Sequence, residues 1–332
     1  LLRASVANAG NEHRLGANEA PPAIVSVFLG EQLTDIFDQL ANGGAKSSTC
    51  GGDLKLGVSA LPSLPKDSTD RNRTSPFAFT GNKFEFRMVG SSQSTSGPCF
   101  VLNTIVADVL EEIADELEKT SDVKGTAQKI TRRIAKEHRR IVYNGDNYTR
   151  EWVAEAEKRG LPNIRSTVDS LKTLFDKENV EVLKKHKVLS KTELHARAEI
   201  LFENYSKLLH IESLTMLNMA RRQILPAASQ YAGALAASVQ SVMAAGATSV
   251  GQSKMLVKVC ELINQMNGNV EDLEKMVNKT EEIGNSIKQA ESYRDQVIPA
   301  MAALRKSADE LEKIVDAQLW PLPAYAEMFF VK

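Results

Sequence analysis

Residues 99 to 318 form a succession of helical patterns with few glycine or proline interruptions, and this regularity constrains the fold more than any other feature. Ser190 and Glu193 have the spacing of a capping box. They predict the start of a helix of roughly 34 residues, about 50 Å long at 1.5 Å per residue. An alanine-rich helix is predicted from Pro226 to about Ala247. We expect these helices to form a bundle or an antiparallel hairpin.

Another long helix is predicted further along the chain, where apolar residues recur every three or four positions. This apolar stripe consists of Met255, Val259, Leu262, Met266, Val270, Leu273, Val277, Ile283 and Ile287. The same spacing predicts helices within residues 99–120, 127–145 and 150–160.

Residues 1 to about 98 show no such regular helical pattern, because Gly, Pro, Ser and Asn interrupt them. The pattern predicts a buried helix from Pro21 to the glycine pair at 43–44, since proline suits a first helical turn and glycine a helix end. A short strand is predicted at 53–58. Residues 74–90 have the pattern of two strands that turn at 80–82.

These patterns predict an α+β protein with a few antiparallel strands plus helices, followed by a large helical bundle. We place the domains at 1–119, 120–318 and 319–332. The last segment, "LWPLPAYAEMFFVK", is aromatic and punctuated by proline, so we expect it to dock on another surface.

The composition narrows the class of protein. The 332 residues are 42% hydrophobic with no long apolar run, which predicts a globular protein with no membrane span. A net charge of −1 gives no overall field that would attract nucleic acid or an anionic membrane. The three cysteines are far apart and form no CxxC pair, so we expect a cytoplasmic location. The sequence starts at Leu1 rather than Met, and we expect a piece of a longer chain.

The stretch "KFEFRMVG", residues 83 to 90, carries the sharpest candidate site. Alternate side chains of a strand share a face, so Lys83, Glu85 and Arg87 point one way and the apolar residues between them point the other. A half-exposed strand with solvated ions explains the pattern. So does a group of arginines around one carboxylate, with Arg71 and Arg73 upstream, which would suit anionic substrates and a metal ion.

The stretch "HRLGANEAPP", residues 13 to 22, sets Arg14 five places before Glu19. It is too rich in Gly, Asn and Pro to predict regular structure. The pattern alone favours a helix N-terminus in which Glu19 complements the dipole of a helix beginning near Pro21. A functional interpretation makes Arg14 an anion anchor and Glu19 a base on a rigid loop.

Taken in order, these segments resemble glutamine synthetase. That family has an arginine, a glycine and Glu-Ala-Pro, then Asn-Arg followed by serine or threonine, then a strand with Glu-x-Arg. Here the segments are Arg14 with Gly16 and 19–21, then 72–74, then 85–87. Several passages are similar to the type III branch: "RLGANEAPPAI", "NRTSPFAFTGNKFEFRMVGSS", "NGDNYTREWVAEAEKRGLPN", "KHKVLSKTELHARAEI" and "WPLPAYAEMFF". The resemblance covers essentially the whole chain.

The resemblance implies ATP-dependent joining of ammonia to glutamate through γ-glutamyl phosphate. It makes Glu85 a ligand of Mg²⁺ or Mn²⁺. It makes Arg73 and Arg87 catalytic and substrate-binding residues beside the transferring phosphoryl group. Arg14 would bind a carboxylate of glutamate. Glu19 stands at the family's flap glutamate, which shields the acyl phosphate and accepts a proton from ammonium.

The resemblance also has departures and consequences. Lys83 stands where better-known types have an arginine at the nucleotide. A lysine can bind a phosphate of ATP as a point charge, but it cannot make the two-point contact of an arginine. Residues 1–119 would be the C-terminal part of the catalytic domain, and the helices beyond would surround a dodecamer of two stacked hexameric rings. The remaining metal ligands and an N-terminal domain would precede residue 1, so this piece alone should be inactive.

Two other functions stay open. One is a related ligase that couples the γ-glutamyl group to a larger amine. The other is a non-catalytic assembly or regulatory protein on the same scaffold, against which the retention of Arg14, Glu19, Arg73, Glu85 and Arg87 argues. The histidines at 138, 186, 195 and 210 have no i, i+4 zinc spacing and are expected to be ordinary surface or core residues.

Overall fold

The computed structural model describes residues 1–15, 23–44, 47, 53–54, 64–65, 72–323 and 325–329. The chain divides into two compact units, Leu1–Ala198 and Glu199–Lys332. This division falls within a long helix. The boundaries predicted near residues 119 and 318 divide the chain differently and stay a prediction.

Helices dominate the described part of the chain, as predicted. They are α1 Ala9–Leu15, α2 Gly30–Asn42, α3 Ser96–Glu118, α4 Val123–Glu137, α5 Arg150–Lys158, α6 Thr167–Lys172, α7 Lys177–Lys185, α8 Lys191–Met219, α9 Leu225–Ala244, α10 Val250–Glu281, α11 Ser286–Ser292, α12 Ile298–Glu312 and α13 Tyr325–Phe329. No described helix combines the length and the apolar character that crossing a membrane requires.

The strands of the described residues are short and all lie in the first unit. They are β1 Val27–Phe28, β2 Asp53–Leu54, β3 Leu64–Pro65, β4 Phe77–Phe79 and β5 Phe84–Phe86. One sheet has the order β1-β4-β5, and β2 pairs with β3 in another. The predicted α+β class is confirmed. The sheet is mixed, however, because β1 runs parallel to β4 while β4 and β5 are antiparallel.

The helix predicted from Pro21 to the glycine pair is correct at its end and wrong at its start. Helix α2 ends at Gly43, whose φ of 133° favours glycine. Residues 24–26 have no regular secondary structure and lead into β1, and the helix begins only at Gly30. The β-branched residues Ile24, Val25 and Val27 favour a pleated backbone, and pairing with β4 outweighs the helical pattern.

Two small clusters form the core around the sheet of the first unit. Val6, Ala23 and Met88 are buried together, with Phe86 packed against them. A second cluster is built around one large side chain: Ile24, Trp152, Ala156 and Leu161. It joins the segment before β1 to helix α5, so residues more than a hundred positions apart fix the start of the sheet.

The capping box that was predicted to start the long helix is confirmed. The backbone N–H of Ser190 donates to Glu193 Oε2 at 2.8 Å, and the N–H of Glu193 donates to Ser190 Oγ at 3.2 Å. These reciprocal bonds satisfy amides that a helix start leaves without partners.

The alanine-rich helix predicted from Pro226 to about Ala247 is confirmed as α9, and it is continuous with the helix before it. Helix α8 continues through a π turn, Ala220–Ile224, directly into α9, with Pro226 in its first turn. A second π turn, Tyr293–Val297, joins α11 to α12 before Pro299. The sequences at the two places are similar: "RRQILPA" at 221–227 and "RDQVIPA" at 294–300. A wider turn thus accommodates the proline, which cannot fill an ordinary α-helical hydrogen bond.

The apolar stripe predicted from Met255 to Ile287 is confirmed along α10 as far as Val277, but the helix ends at Glu281, so Ile283 and Ile287 lie beyond it. Its buried members are Val259, Leu262, Met266, Val270, Leu273 and Val277. Helix α10 packs against both α9 and α12, as expected for a helical bundle. Met255, at one end of the stripe, is exposed.

Candidate functional site: a charged hairpin and the loops that hold it

The hairpin of β4 and β5 carries the charged row that was predicted from the sequence. Thr80 N–H donates to the carbonyl of Lys83 at 2.9 Å and closes the turn. Gly81 has a φ of 92°, a conformation that suits glycine, so the turn predicted at 80–82 is confirmed.

Glu85 lies at the centre of this row. Arg87 donates to Glu85 Oε2 from Nη2 at 2.9 Å and from Nε at 3.3 Å. On the other oxygen, Lys83 Nζ lies 3.4 Å from Oε1 and Thr80 Oγ1 donates at 3.3 Å. The prediction that Lys83, Glu85 and Arg87 share a face is therefore confirmed.

These contacts stabilise the charged form of Glu85. The hydrogen bond from Arg87 is the largest cause that holds the pKa of Glu85 below its ordinary value, and Lys83 lowers it further. The side chain is 38% exposed, so its carboxylate is within reach of solvent and of any ligand there. The opposite face of the strand is less buried than the pattern predicted, because Phe84 is half exposed while Met88 is buried.

Arg87 also joins the hairpin to the Asn-Arg-Thr turn. Its Nη1 donates to the carbonyl oxygen of Asn72. The Asn72 side chain in turn accepts from the backbone N–H groups of Thr74 at 3.0 Å and Ser75 at 3.1 Å, which shapes the turn. Two of the three segments singled out in the sequence thus lie in contact.

Arg73 lies in this turn but is exposed. In the described part of the chain it makes no hydrogen bond or ion pair with Glu85 or Arg87. The backbone of Arg14 belongs to α1, so "HRLGANEAPP" is helical up to Leu15, where no regular structure was predicted. The Arg14 side chain, Gly16, Glu19, Pro21, Pro22 and Arg71 lie outside the described residues, and their predicted roles stay predictions.

A segment to which no structural role was predicted, Asn144–Asn147, braces the turn and the start of α2. Asn72 Nδ2 donates to the carbonyls of Asn144 at 3.3 Å and Gly145 at 3.0 Å. Asn144 Oδ1 accepts from Leu29 N–H and Gly30 N–H, each at 3.2 Å, and so caps a helix that is distant in sequence.

Asn147 completes this brace from a buried position. Its Nδ2 donates to Ser26 Oγ at 2.9 Å, and its N–H donates to Thr74 Oγ1 at 3.0 Å. Asn147 is 1% exposed, so these hydrogen bonds replace water for groups that would otherwise be unsatisfied. Two asparagines in a polar stretch are a weak signal, and only long-range contacts show their importance.

A second charged cluster lies between α3 and the end of α7. Lys185 Nζ lies 2.8 Å from both Asp108 Oδ1 and Glu111 Oε2. His186 Nε2 lies 2.8 Å from Asp108 Oδ1. Asp108, Glu111 and His186 each place one potential metal ligand within 4.8 Å of the others. Because Lys185 pairs with both carboxylates, the cluster has the form of an ion-pair network between helices. His186, which was predicted to be an ordinary surface or core histidine, is a largely buried member of this network.

This network gives a pH-dependent prediction. The hydrogen bond from Lys185, followed by that from His186, lowers the pKa of Asp108 below its ordinary value of 3.8. A depressed folded pKa adds stability above the unfolded value, and that stability disappears as pH falls through the folded value. Asp108→Asn should therefore lower the urea midpoint of unfolding at pH 7. The midpoints measured at pH 7 and at pH values below 3.8 should also differ less in this variant than in the native protein.

Urea unfolding followed by circular dichroism at several pH values measures both effects. Asp115→Asn, an exposed position on the same helix, is the matched control. Equal midpoints for Asp108→Asn and Asp115→Asn would show that the network adds nothing to stability.

The carboxylate of Glu85 fits a hard divalent cation as one oxygen ligand. Such an ion requires about six oxygens. Among the described residues around Glu85, the other charged side chains are Lys83 and Arg87, which repel a cation. The described residues can therefore contribute one ligand to Mg²⁺ or Mn²⁺, and they do not hold the ion alone.

Comparisons with known proteins show which family the chain is similar to. The model of the glutamine synthetase C-terminal domain matches residues 126–243. Over the whole chain, 41% of residues are identical to a protein of Dictyostelium discoideum named type-3 glutamine synthetase. The resemblance to the type III glutamine synthetases is confirmed.

Two bacterial glutamine synthetases match in the same way. The identity is 34% with that of Bacteroides fragilis, over all of this chain, and 36% with that of Butyrivibrio fibrisolvens, over 99% of it. The chain spans about half of the length of these relatives, between 46% and 47%. What it shares with glutamine synthetases is therefore one half of their length.

Proposed function

We propose that the chain supplies part of the active site of a glutamine synthetase, which uses ATP to join ammonia to L-glutamate through γ-glutamyl phosphate. The pairing of Glu85 with Arg87, attached to the Asn72 turn, carries this proposal. It brings a carboxylate and a guanidinium from the family's motifs to one exposed face. The similarity to proteins named glutamine synthetase supports the same reaction.

The chemistry assigns a role to each charged group. Phosphoryl transfer needs fixed positive charge around the transferring group more than covalent help, and Arg87 and Arg73 would supply it. Glu85 would bind one of the divalent ions, Mg²⁺ or Mn²⁺, that neutralise the phosphates. Lys83, which is exposed, would meet a phosphate of ATP as a point charge. Arg14 would bind a carboxylate of glutamate.

Glu19 is proposed to act in the attack of ammonia on the acyl phosphate and not in the binding of ATP. Glu19→Ala should leave ATP affinity nearly unchanged but lower glutamine formation by about 10²-fold, the order expected when a general base is removed. Without this carboxylate, the acyl phosphate loses a proton acceptor for ammonium and a cover against water. Parallel measurement of ATP binding and of glutamine formation checks the expectation. A parallel fall in both would contradict the role.

The full-length protein provides the test of the function. Glutamine should form only when ATP, glutamate, ammonium and a divalent cation are all present, with one phosphate released per glutamine. Replacing ammonium by larger primary amines distinguishes the related γ-glutamyl-amine ligases. Absence of ATP-dependent product with every amine would favour the scaffold protein. We also propose a cytoplasmic dodecamer of two hexameric rings, which mass photometry of the full-length protein would check.

A further inference from the structure

Arg87 lies on a hairpin that gives its side chain little support. Strands β4 and β5 have three residues each, and the Glu85 side chain that pairs with Arg87 is 38% exposed. An ion pair that solvent reaches contributes little to holding a long side chain in one geometry. Arg87 Nη1 also donates to the carbonyl of Asn72. The position of the guanidinium therefore depends on how firmly the Asn72 turn is held.

The side chain of Asn72 is fixed at both ends of its amide group. The oxygen accepts from the backbone N–H groups of Thr74 and Ser75, which shapes the turn. The nitrogen donates to the carbonyls of Asn144 and Gly145 and so ties the turn to the brace. The residue whose carbonyl contacts the guanidinium is thus the residue that the brace holds.

The hydroxyl of Thr74 makes a second tie between the turn and the brace. Thr74 Oγ1 accepts from Asn147 N–H at 3.0 Å and lies 2.9 Å from Asn72 Oδ1. An amide oxygen can only accept, so the hydroxyl donates its one proton to Asn72. The other acceptor near it, Asn147 Oδ1, is further away at 3.5 Å. Thr74 therefore links Asn147 to Asn72, and both neighbours of Arg73 in the chain are held.

The brace is itself anchored to β1 and to the residue before it. Val142 pairs with Val27 in a parallel bridge, and Tyr143 N–H donates to the Val27 carbonyl at 3.0 Å. At its other end, Asn147 Nδ2 donates to the hydroxyl of Ser26, which is fully buried. Buried hydrogen bonds of this kind are costly to break, because water cannot replace the lost partner. The Asn72 turn is therefore supported by the interior of the first unit.

We propose that Thr74 is a positioning residue of the proposed reaction: its hydroxyl locks the Asn72 turn to the brace and so holds Arg87 ready for phosphoryl transfer. A positive group that is already oriented needs no reorganisation as charge develops, and a small displacement of it is costly in rate. The inference rests on the proposed function and extends it. It gives the region 120–318, for which the resemblance implied a place around the oligomer, a part in catalysis through the brace.

Thr74→Val and Thr74→Ser in the full-length protein test the proposal. Valine has nearly the shape of threonine but lacks the hydroxyl, so it cuts the link between Asn147 and Asn72, whereas serine retains the link. Thr74→Val should lower the turnover of glutamine formation by ~10-fold or more, and Thr74→Ser should stay within about 2-fold of the native protein. Thr131→Val, a change of an exposed threonine on α4, is the matched control and should not alter turnover.

Coupling to Arg87 separates positioning from a general loss of stability. In an Arg87→Ala background the guanidinium is absent, so Thr74→Val should lower the remaining turnover by no more than about 2-fold. A change that merely destabilised the fold would lower turnover by the same factor in both backgrounds. Isotope-labelled glutamate makes the low turnover of the Arg87→Ala proteins measurable. Equal factors in the two backgrounds would overturn the proposal.

Far-UV circular dichroism and mass photometry check that each variant folds and assembles. If Thr74→Val fails to fold, Ser26→Ala decides, because it removes the acceptor of Asn147 Nδ2 without changing the turn, and turnover should again fall several-fold. Turnover of the deciding variant equal to that of the native protein would overturn this proposal and leave the proposed function standing. Absence of glutamine formation by the native protein would overturn the proposed function and this inference with it.

Discussion

Arg87→Ala in the full-length protein is expected to lower the turnover of glutamine formation by about 10³-fold, the order seen when a positive group at a transferring phosphoryl is removed. The side chain has two roles that alanine cannot replace. It would stabilise the charge that develops during phosphoryl transfer, and it pairs with Glu85 while donating to the Asn72 carbonyl. Steady-state assays with varied ATP and glutamate measure the loss.

Two further variants separate charge from geometry. Arg87→Lys retains the charge but loses the two-point contact, so its turnover should lie between those of the native protein and Arg87→Ala. Arg305→Ala is the matched control, since Arg305 is 77% exposed and pairs only loosely with Asp309 at 3.6 Å. Turnover of Arg87→Ala equal to that of Arg305→Ala would remove Arg87 from the proposed active site.

Trp152→Ala is expected to destabilise the first unit by about 3–5 kcal/mol, as large-to-small changes of buried aromatic residues do. Trp152 is fully buried and stacks on Tyr143, with ring centroids 3.7 Å apart. The Arg159 guanidinium lies 5.4 Å from its ring. Urea unfolding followed by far-UV circular dichroism measures the change without relying on the fluorescence of Trp152 itself.

Conservative and neighbouring changes serve as controls for Trp152. Its indole N–H is buried without a hydrogen-bond partner among the described residues, so Trp152→Phe should retain most of the stability. Val153→Ala changes the adjacent, partly exposed residue and should have a small effect. A loss in Trp152→Ala no larger than in Val153→Ala would show that the cluster does not anchor α5.

The helices were predictable from the sequence because their signals are local. The capping box at Ser190 and the stripe of α10 depend on residues three or four apart, and the structure confirms both. The start of α2 was wrong for the opposite reason. Whether Val27 joins a helix or a strand depends on its pairing with Phe77, fifty residues away, which no local pattern contains.

The features of the candidate site were likewise predictable where they depend on local sequence and not where they depend on long-range contacts. The shared face of Lys83, Glu85 and Arg87 followed from the two-residue period of a strand. The brace from Asn144 and Asn147 did not, because its hydrogen bonds span more than seventy residues. The helix predicted from Pro226 was correct, but its continuity with α8 was not predictable, because proline usually ends a helix and a π turn that absorbs it leaves no distinct local pattern.

The two π turns also determine how the helices of the second unit tolerate changes in length. A π turn holds one residue more than the α turn it replaces, so removing a single residue within 220–224 or 293–297 takes away that extra residue without rotating the next helix. The same loss in the middle of α10 would rotate every later side chain by about 100°, since an α-helix has 3.6 residues per turn. Val270, Leu273 and Val277 would then leave the core. Relatives that differ by one residue just before either proline can therefore keep the same buried faces.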